Sequence, residues 1–238
     1  MMKLLVLCGG LGTRLQAVLN DVPKALAPVG SVPFLHLQIE NWKNQGIRSF
    51  VFLLHHQADL IIKFLQSEQQ IGVLFDCEVR WLVESRPLDT GGAVANAVEQ
   101  LRLTDNFLVT NADTWLGTGI ANVSQDKSPA MAVVELSDSS RYGSVQFDKQ
   151  FRVSIFQEKS SGSQKAGWIN AGLFQMNVET FKDWDRLPFS LERAIFPAMV
   201  SRGELKAVTL KTEFIDIGIP EDYYRLCKWM ATDRKGPL

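Results

Sequence analysis

Three glycines, a threonine and two cations follow the first apolar run of the chain. In LLVLCGGLGTRLQAVLNDVPKALAPVG, residues 4–30, the run ends in Gly9-Gly10-Leu11-Gly12. Thr13 and Arg14 come next, and a Pro23-Lys24 pair follows ten residues after the arginine. Glycines let a backbone turn sharply and approach a ligand closely. Successive free N–H groups can then cradle phosphate oxygens, and Arg14 and Lys24 add positive charge there. No Gly-Lys-Ser/Thr follows, so this is not a P-loop. The third glycine of a dinucleotide fingerprint would fall on Leu15, which opposes that reading as well. Pro23 biases Val22 toward extended geometry, which makes a rigid loop carrying Lys24.

A loop that handles phosphates calls for a counter-charge. Mg²⁺ held by a few carboxylates, phosphate oxygens and water supplies one. Asp113 closes the apolar stretch FLVTNAD. Asp216, in FIDIGIP, lies between Ile215 and Ile217, so a strand would point it opposite to them. It then faces either solvent or the same cleft as Asp113. Glu221 and Asp222 fall in the first turn of the last predicted helix, where acids favour the helix dipole. Asp222 is expected to be an exposed helix residue rather than a ligand. His36, His55 and His56 have no cysteine or carboxylate at useful metal spacing. Cys8 reads as a buried thiol without a partner base, not as a nucleophile. Trp42, Trp184 and Met176 read as packing residues.

The elements that must hold these groups alternate through the first 110 residues. Strands are predicted at 3–8, 49–54, 79–83 and 107–110, with helices at 33–45, 58–70 and 92–101. That pattern predicts a parallel sheet covered by helices on both faces. After Asp113 the texture changes. Strands are expected at 130–136, 143–147, 151–157, 168–176, 205–210 and 213–217. Short helices are expected at 178–184 and 190–199, and a closing helix at 219–231. The fold class is α/β: a Rossmann-like nucleotide-binding mixed sheet flanked by helices, with a sugar-binding mixed α/β portion. We expect a single domain over 1–238, its nucleotide-binding half near 1–115 and its sugar-phosphate half near 116–238. Open α/β sheets bind ligands outside the carboxyl ends of their strands, where the glycine loop lies.

The chain has 238 residues, 46% of them apolar, enough for a sizeable core. Its formal net charge of -1 provides no global basic field, so nucleic acid is not an expected partner. Three cysteines without a CxxC pair fit a reducing compartment. MMKLLVLCGG reads as a buried strand rather than a signal peptide, and no segment has bilayer-spanning length. A cytoplasmic protein without a membrane partner is expected, and a homo-oligomer is left open.

Taken together, GGLGTR and PKALAPV resemble the signature of the sugar-1-phosphate nucleotidyltransferases. VESRPLDTGGAVANA, TNAD, SRYGSVQFD, the Glu158-Lys159 pair, INAG and IDIGIPEDYYR are similar to further motifs of that family, so the likeness runs from Gly9 to Tyr224. Ala112 and Asp89 stand where the family commonly has glycine. The resemblance implies an Mg²⁺-dependent enzyme whose partners are a nucleoside triphosphate and a sugar 1-phosphate. It puts Leu7, Gly9, Gly10, Gly12, Thr13, Arg14 and Lys24 on the triphosphate, with Arg14 at the β and γ phosphates and Lys24 at the reacting phosphate. Glu84, Thr90, Gly91 and Gly92 would grip base and ribose, although Thr90 also reads as a plain helix N-cap. Asp113 and Asp216 would bind Mg²⁺, making Arg14, Lys24, Asp113 and Asp216 the catalytic set. Asn111, Tyr142, Gly143, Glu158, Lys159, Asn170 and Gly172 would surround the sugar phosphate, and Ser160–Lys165 reads as a lid or an exposed hairpin tip.

Within the family, the short length and these motifs look most like members that use GTP and D-glycero-α-D-manno-heptose 1-phosphate. Uridylyl or other nucleotidyl transfer to MurNAc 1-phosphate or a hexose 1-phosphate is the alternative. A non-catalytic nucleotide-binding protein is the alternative of another class, opposed by the presence of both aspartates and Arg14.

Overall fold

The computed structural model describes residues 2–19, 22–126, 129–158 and 166–232. Lys159 and the Ser160–Lys165 loop lie outside the described residues. Two compact units emerge: Met1–Arg86 with Asn111–Gly117 and Glu213–Leu238, and Pro87–Thr110 with Thr118–Thr212. Each unit is therefore assembled from chain segments distant in sequence. Among the described residues no helix is long and apolar enough to cross a membrane.

The first unit carries three of the four expected parallel strands, and residues 107–110 of the fourth fall in the second unit. Ser49–Leu54 (SFVFLL) is buried at all six positions, the pattern of a parallel strand covered on both faces. It pairs in parallel with Lys3–Leu7 on one side and Glu78–Val83 on the other. The first strand stops at Leu7, so Cys8 opens the loop instead of closing the strand. Helices Phe34–Asn44, Ala58–Ile71 and Pro220–Ala231 belong to this unit. Pro33 precedes the first of these, and Pro220 sits in the first turn of the last, where a missing N–H costs nothing.

Two features of this unit were not foreseen. Thr114–Leu116 forms a short strand directly after Asp113 and pairs antiparallel with Phe214–Asp216, placing Asp216 opposite Thr114. Lys24–Leu26 forms a single 3-10 turn. One apolar cluster ties the pieces together: Leu15, Leu19, Ala27, Val29, Phe34, Trp115, Ile215, Ile217, Tyr223, Leu226 and Trp229. Trp115 and Trp229 meet edge to face with centroids 6.2 Å apart. The Tyr223 hydroxyl donates to the Pro28 carbonyl, and burial pushes its pKa up to about 12. Asp222 departs from expectation. It is buried rather than exposed, with Arg225 one turn on at 3.3 Å. A first-turn acid can face inward when a cation covers it.

In the second unit Gly167–Met176 runs antiparallel to both Phe107–Asn111 and Ala130–Leu136. Lys206–Leu210 joins Ala130–Leu136 in parallel, and Ser144–Phe147 forms a hairpin with Val153–Gln157. Phe196 meets Phe174 at a tilt and Phe156 edge to face, with centroids 4.8 and 5.4 Å apart. Ile120–Gln125 is a short helix that the sequence did not signal. The helix expected at 190–199 begins as a π-turn at Leu191–Ile195 and continues as Phe196–Ser201.

The helix expected at 92–101 starts three residues earlier, at Asp89, behind Leu88 as its N-cap. Thr90 is therefore not the cap. Its hydroxyl donates to Glu192 at 2.7 Å and accepts the Leu191 N–H at 2.9 Å. The N–H groups of Gly91 and Gly92 both donate to the Phe189 carbonyl, at 2.8 and 3.1 Å. A Cβ on Gly91 would lie 2.2 Å from the Phe189 ring. Gly91→Ala should therefore destabilise by about 1–3 kcal/mol, the usual cost of forcing atoms into a filled core. Phe189→Leu in the same chain should recover part of that loss. Thermal unfolding of the two variants checks this, and a wild-type Tm for Gly91→Ala would remove the packing explanation for the glycine.

Candidate active site

Lys24, Asp113 and Asp216 come from three distant stretches of sequence and meet in the first unit. The Lys24 ammonium lies 2.6 Å from Asp113 Oδ2 and 3.5 Å from Asp216 Oδ1. Only 13% of the Lys24 side chain is exposed, against 37% for Asp113 and 22% for Asp216. The alternative left open for Asp216 is thereby decided: it faces Asp113.

Each partner is fixed locally. Lys24 opens its 3-10 turn immediately after Pro23, and Pro23 is extended (φ -53°, ψ 137°). The Lys24 stem lies against Gly12, where a Cβ would come 3.2 Å from Lys24 Cβ. Gly12 also has φ +60°, the left-handed region that glycine enters freely. The turn closes with the Leu15 N–H donating to the Gly12 carbonyl at 2.9 Å. Asp113 follows Ala112, whose N–H donates to the Leu7 carbonyl at 3.1 Å. The Asp113 carbonyl accepts the Ile217 N–H at 2.9 Å, so the two aspartate segments are joined through backbone as well. Asp216 Oδ1 accepts the Gly218 N–H at 2.6 Å.

Gly218 is a site residue that the sequence reading passed over. A Cβ there would sit 2.8 Å from Asp216 Oδ1 and 3.4 Å from Lys24 Nζ. The glycine two residues after the acid was its only signal. His55 is another. A Cβ on Gly9 would lie 3.3 Å from His55 Cβ. The ring Nδ1 is 3.2 Å from the Glu84 carbonyl, and a carbonyl can only accept, so Nδ1 carries the proton. Glu84 itself donates its N–H to the Leu54 carbonyl at the end of the central strand.

Arg14, Thr13 and Gly10 are exposed, and a Cβ on Gly10 would meet nothing within 4 Å. This end of the loop is open to a ligand. Cys8 is buried, and burial together with the nearby Asp113 charge pushes its thiol far above the ordinary range. It has no thiolate to offer as a nucleophile.

The second unit brings other proposed residues together. The Asn170 N–H donates to the Gly143 carbonyl at 3.0 Å, and the Asn170 side chain accepts the Gly172 N–H at 2.9 Å. Gly172 has φ +73°, and the strand register shifts between Asn170 and Phe174. Asn170 is thus the last regularly paired residue, opposite Val133, and the strand bulges over Ala171–Leu173 directly after it. Tyr142 stacks under Arg141, whose guanidinium carbon is 5.4 Å from the ring centroid. Glu158 is exposed just beyond the Val153–Gln157 strand. Asp89 has φ +60° in the position where glycine is common. Its carboxylate accepts the Thr90 N–H and pairs with Arg193, contacts that a glycine would lack.

Among the described residues no group of three or more His, Cys, Asp or Glu could by itself hold a metal ion. Asp113 and Asp216 nevertheless fit Mg²⁺. Their donors are hard carboxylate oxygens, and they already converge on one cationic centre. Mg²⁺ characteristically takes one or two carboxylates and completes its shell with phosphates and water.

A family model described as nucleotidyl transferase matches residues 3–232. The chain is 32% identical over 225 residues to D-glycero-alpha-D-manno-heptose 1-phosphate guanylyltransferase of Campylobacter jejuni, covering 94% of this chain and 97% of that protein. It is 31% identical over 234 residues to a probable mannose-1-phosphate guanylyltransferase of Oryza sativa, covering 93% of this chain but only 63% of that longer protein. The crystal structure of HddC from Yersinia pseudotuberculosis superposes with a TM-score of 0.83 at 35% identity, covering 97% of this chain and all of that one. The same protein complexed with GMP-PN gives 0.81 at 33% identity, with the same coverage. The mixed α/β, Rossmann-like fold expected from the sequence is thus the fold of these structures.

Gly218→Ala should push the Asp216 carboxylate away from Lys24 without disturbing the core. A crystal structure of the variant should show the Lys24–Asp216 contact lengthened, with Tm changed by no more than about 2–4 °C. An unchanged contact would mean that the carboxylate is not set by this turn.

Proposed function

We propose a function that proceeds from one fact: this chain belongs to the nucleotidyl transferase family. It transfers the nucleotidyl group of a nucleoside triphosphate to a sugar 1-phosphate, forming a nucleoside-diphosphate sugar and pyrophosphate. The observation that carries this reading is the half-buried Lys24 ammonium held between Asp113 and Asp216 beside the glycine turn.

An oxygen of the sugar phosphate attacks the α-phosphorus in line. The new P–O bond forms as the bond from the α-phosphorus to the bridging oxygen breaks, and pyrophosphate leaves with that electron pair. A sugar phosphate is already ionised near neutrality, so no general base is needed. The protein positions the reactants and stabilises charge. Lys24, once a phosphate draws it from the aspartates, supports the reacting phosphate. Arg14, exposed at the open end of the loop, takes the β and γ phosphates. Gly9, Gly10, Gly12 and Thr13 bring backbone close to the triphosphate. Asp113 and Asp216 would hold Mg²⁺, which supplies neutralising charge at the phosphates when bound. On the acceptor side, Tyr142, Gly143, Asn170 and Gly172 surround the sugar, with Glu158 and Lys159.

The substrate pair we favour is GTP with D-glycero-α-D-manno-heptose 1-phosphate. The guanylyltransferase names of the relatives and the GMP-PN complex of the Yersinia protein support the base. Coverage of nearly the full length of the Campylobacter protein supports the heptose. The rice relative keeps mannose 1-phosphate as the competing acceptor. Three free cysteines fit a cytoplasmic setting.

Asp113→Asn and Asp216→Asn should each lower kcat by two orders of magnitude or more, roughly the effect of losing a preorganised electrostatic contact. Circular dichroism should stay at wild type. Pyrophosphate release in Mg²⁺ measures the loss, and near-normal turnover would remove that aspartate from the metal role. Arg14→Ala should lower kcat/KM by about 10²-fold on the same grounds. An unchanged value would put that side chain in solvent. A matrix of four nucleoside triphosphates against heptose, mannose, glucose, GlcNAc and MurNAc 1-phosphates, scored by kcat/KM, tests the pair. A preference for UTP or dTTP rejects the base, and a preference for a hexose phosphate rejects the sugar.

A further inference from the structure

Gln38 stands on the buried face of the Phe34–Asn44 helix, in line with Leu35, Ile39 and Trp42, and is 1% exposed. An amide at such a place is costly unless its N–H groups are used. Gln38 Nε2 donates to the Thr114 carbonyl at 2.8 Å and reaches the Asn111 carbonyl at 3.4 Å. These carbonyls bracket Asp113, two residues before it and one after. One side chain therefore pins both shoulders of the bend from which Asp113 projects. Two more amides on the same stripe grip the chain further along. Asn41 Nδ2 donates to the Leu116 carbonyl at 2.9 Å and Gln45 Nε2 to the Gly117 carbonyl at 3.3 Å. Positions 38, 41 and 45 follow the i, i+3, i+7 spacing of one helix face. The three side chains donate in chain order to the Asn111–Gly117 segment, and only the first reaches the carbonyls beside Asp113.

We propose that Gln38 is a positioning residue for the transfer reaction, setting where the Asp113 carboxylate stands through the Asn111–Thr114 backbone. The inference rests on the role given above to Asp113. Gln38 touches no substrate. Its contribution lies in tolerance: displacing a reacting group by about 1 Å can cost on the order of 10²-fold in rate. Asn41 and Gln45 hold the same segment further on, at Leu116 and Gly117, and serve stability alone.

The test compares full-length Gln38→Met, which keeps the length of the side chain and removes its donors, with Asn41→Leu. Tm, kcat, KM for GTP and binding of Mn²⁺ in the presence of GTP, read by electron paramagnetic resonance, are measured for each. Gln38→Met should lose about 10- to 100-fold in kcat and bind Mn²⁺ several-fold more weakly, with KM for GTP nearly unchanged. Asn41→Leu should lose as much Tm while keeping kcat within about threefold. Gln38→Glu covers the case in which the methionine does not fold. A neutral carboxyl can donate to the Thr114 carbonyl and a carboxylate cannot, so this variant should regain relative activity as pH falls, a rise absent from the wild type. Wild-type kcat and Mn²⁺ affinity in a folded Gln38→Met would overturn the proposal. So would equal losses in Asn41→Leu at equal Tm, or no acid-side recovery in Gln38→Glu. Asp113→Asn run alongside separates the two failures. If it is inactive and Gln38→Met is not, only the positioning role falls. If Asp113→Asn is active, the role of Asp113 falls and this inference with it.

Discussion

A lysine ammonium with 13% of its side chain exposed must have its charge matched by nearby groups. Lys24 does so with Asp113 at 2.6 Å and Asp216 at 3.5 Å. The converse holds for the acids. Two carboxylates that share one neighbourhood repel each other unless a cation lies between them. Taken alone, the triad carries one net negative charge, which suits the Mg²⁺ role proposed for the two aspartates. Much of the rest of the first unit can be understood as the scaffold that keeps these three groups within reach.

The scaffold is apolar and continuous. Leu15 and Leu19 follow the glycine turn, Ala27 and Val29 follow Lys24, Trp115 follows Asp113, and Ile215 and Ile217 flank Asp216. Every charged group is thus a near neighbour in sequence of a residue in one cluster, and packing that cluster brings the charges together. The final helix contributes Tyr223, Leu226 and Trp229 from the far end of the chain. Tyr223 also ties that helix to the Pro28 carbonyl. Hydrophobic burial supplies the driving force without direction. The Asp216–Thr114 strand pair and the Ile217–Asp113 hydrogen bond supply the direction.

Much of this was legible from sequence for identifiable reasons. Ser49–Leu54 is an unbroken apolar run, and the structure buries all of it. In the Asp89–Gln100 helix Val94 and Ala97 are buried as expected, whereas Val98 is only half-buried, Leu101 is the C-cap, and the helix starts three residues earlier than the pattern indicated. Asp216 could be read only as pointing away from Ile215 and Ile217. Strand alternation fixes a side, but only a partner strand says what lies on that side, and Thr114–Leu116 was too short to signal itself. Gln38 was illegible for a related reason. A glutamine amid Leu35, Ile39 and Trp42 looks like a surface residue at the margin of an apolar face until its carbonyl partners, more than 70 residues away, are known. Asp222 misled in the opposite direction, since a first-turn acid satisfies the dipole whether it faces water or Arg225.

The two glycine runs, alike on paper, differ in what their backbone has left to offer. Around Gly10 the loop is open, and Arg14 beside it is exposed. At Gly91 and Gly92 both N–H groups already donate to the Phe189 carbonyl, and the missing Cβ of Gly91 is the space taken by the Phe189 ring. Amides engaged in that way can serve an anion only by breaking those bonds, so the second run has a complete packing account that the first lacks. Thr90 belongs to the same account, since its hydroxyl bridges Glu192 and the Leu191 N–H. A glycine-rich string following a strand is therefore ambiguous until its donors are counted. At the first run the open backbone lies in the same turn as Gly12, against which Lys24 packs on its way to the two aspartates. There backbone donors, a cation and paired acids stand together, and that conjunction, more than the glycines themselves, is what supports the phosphate role proposed for the loop.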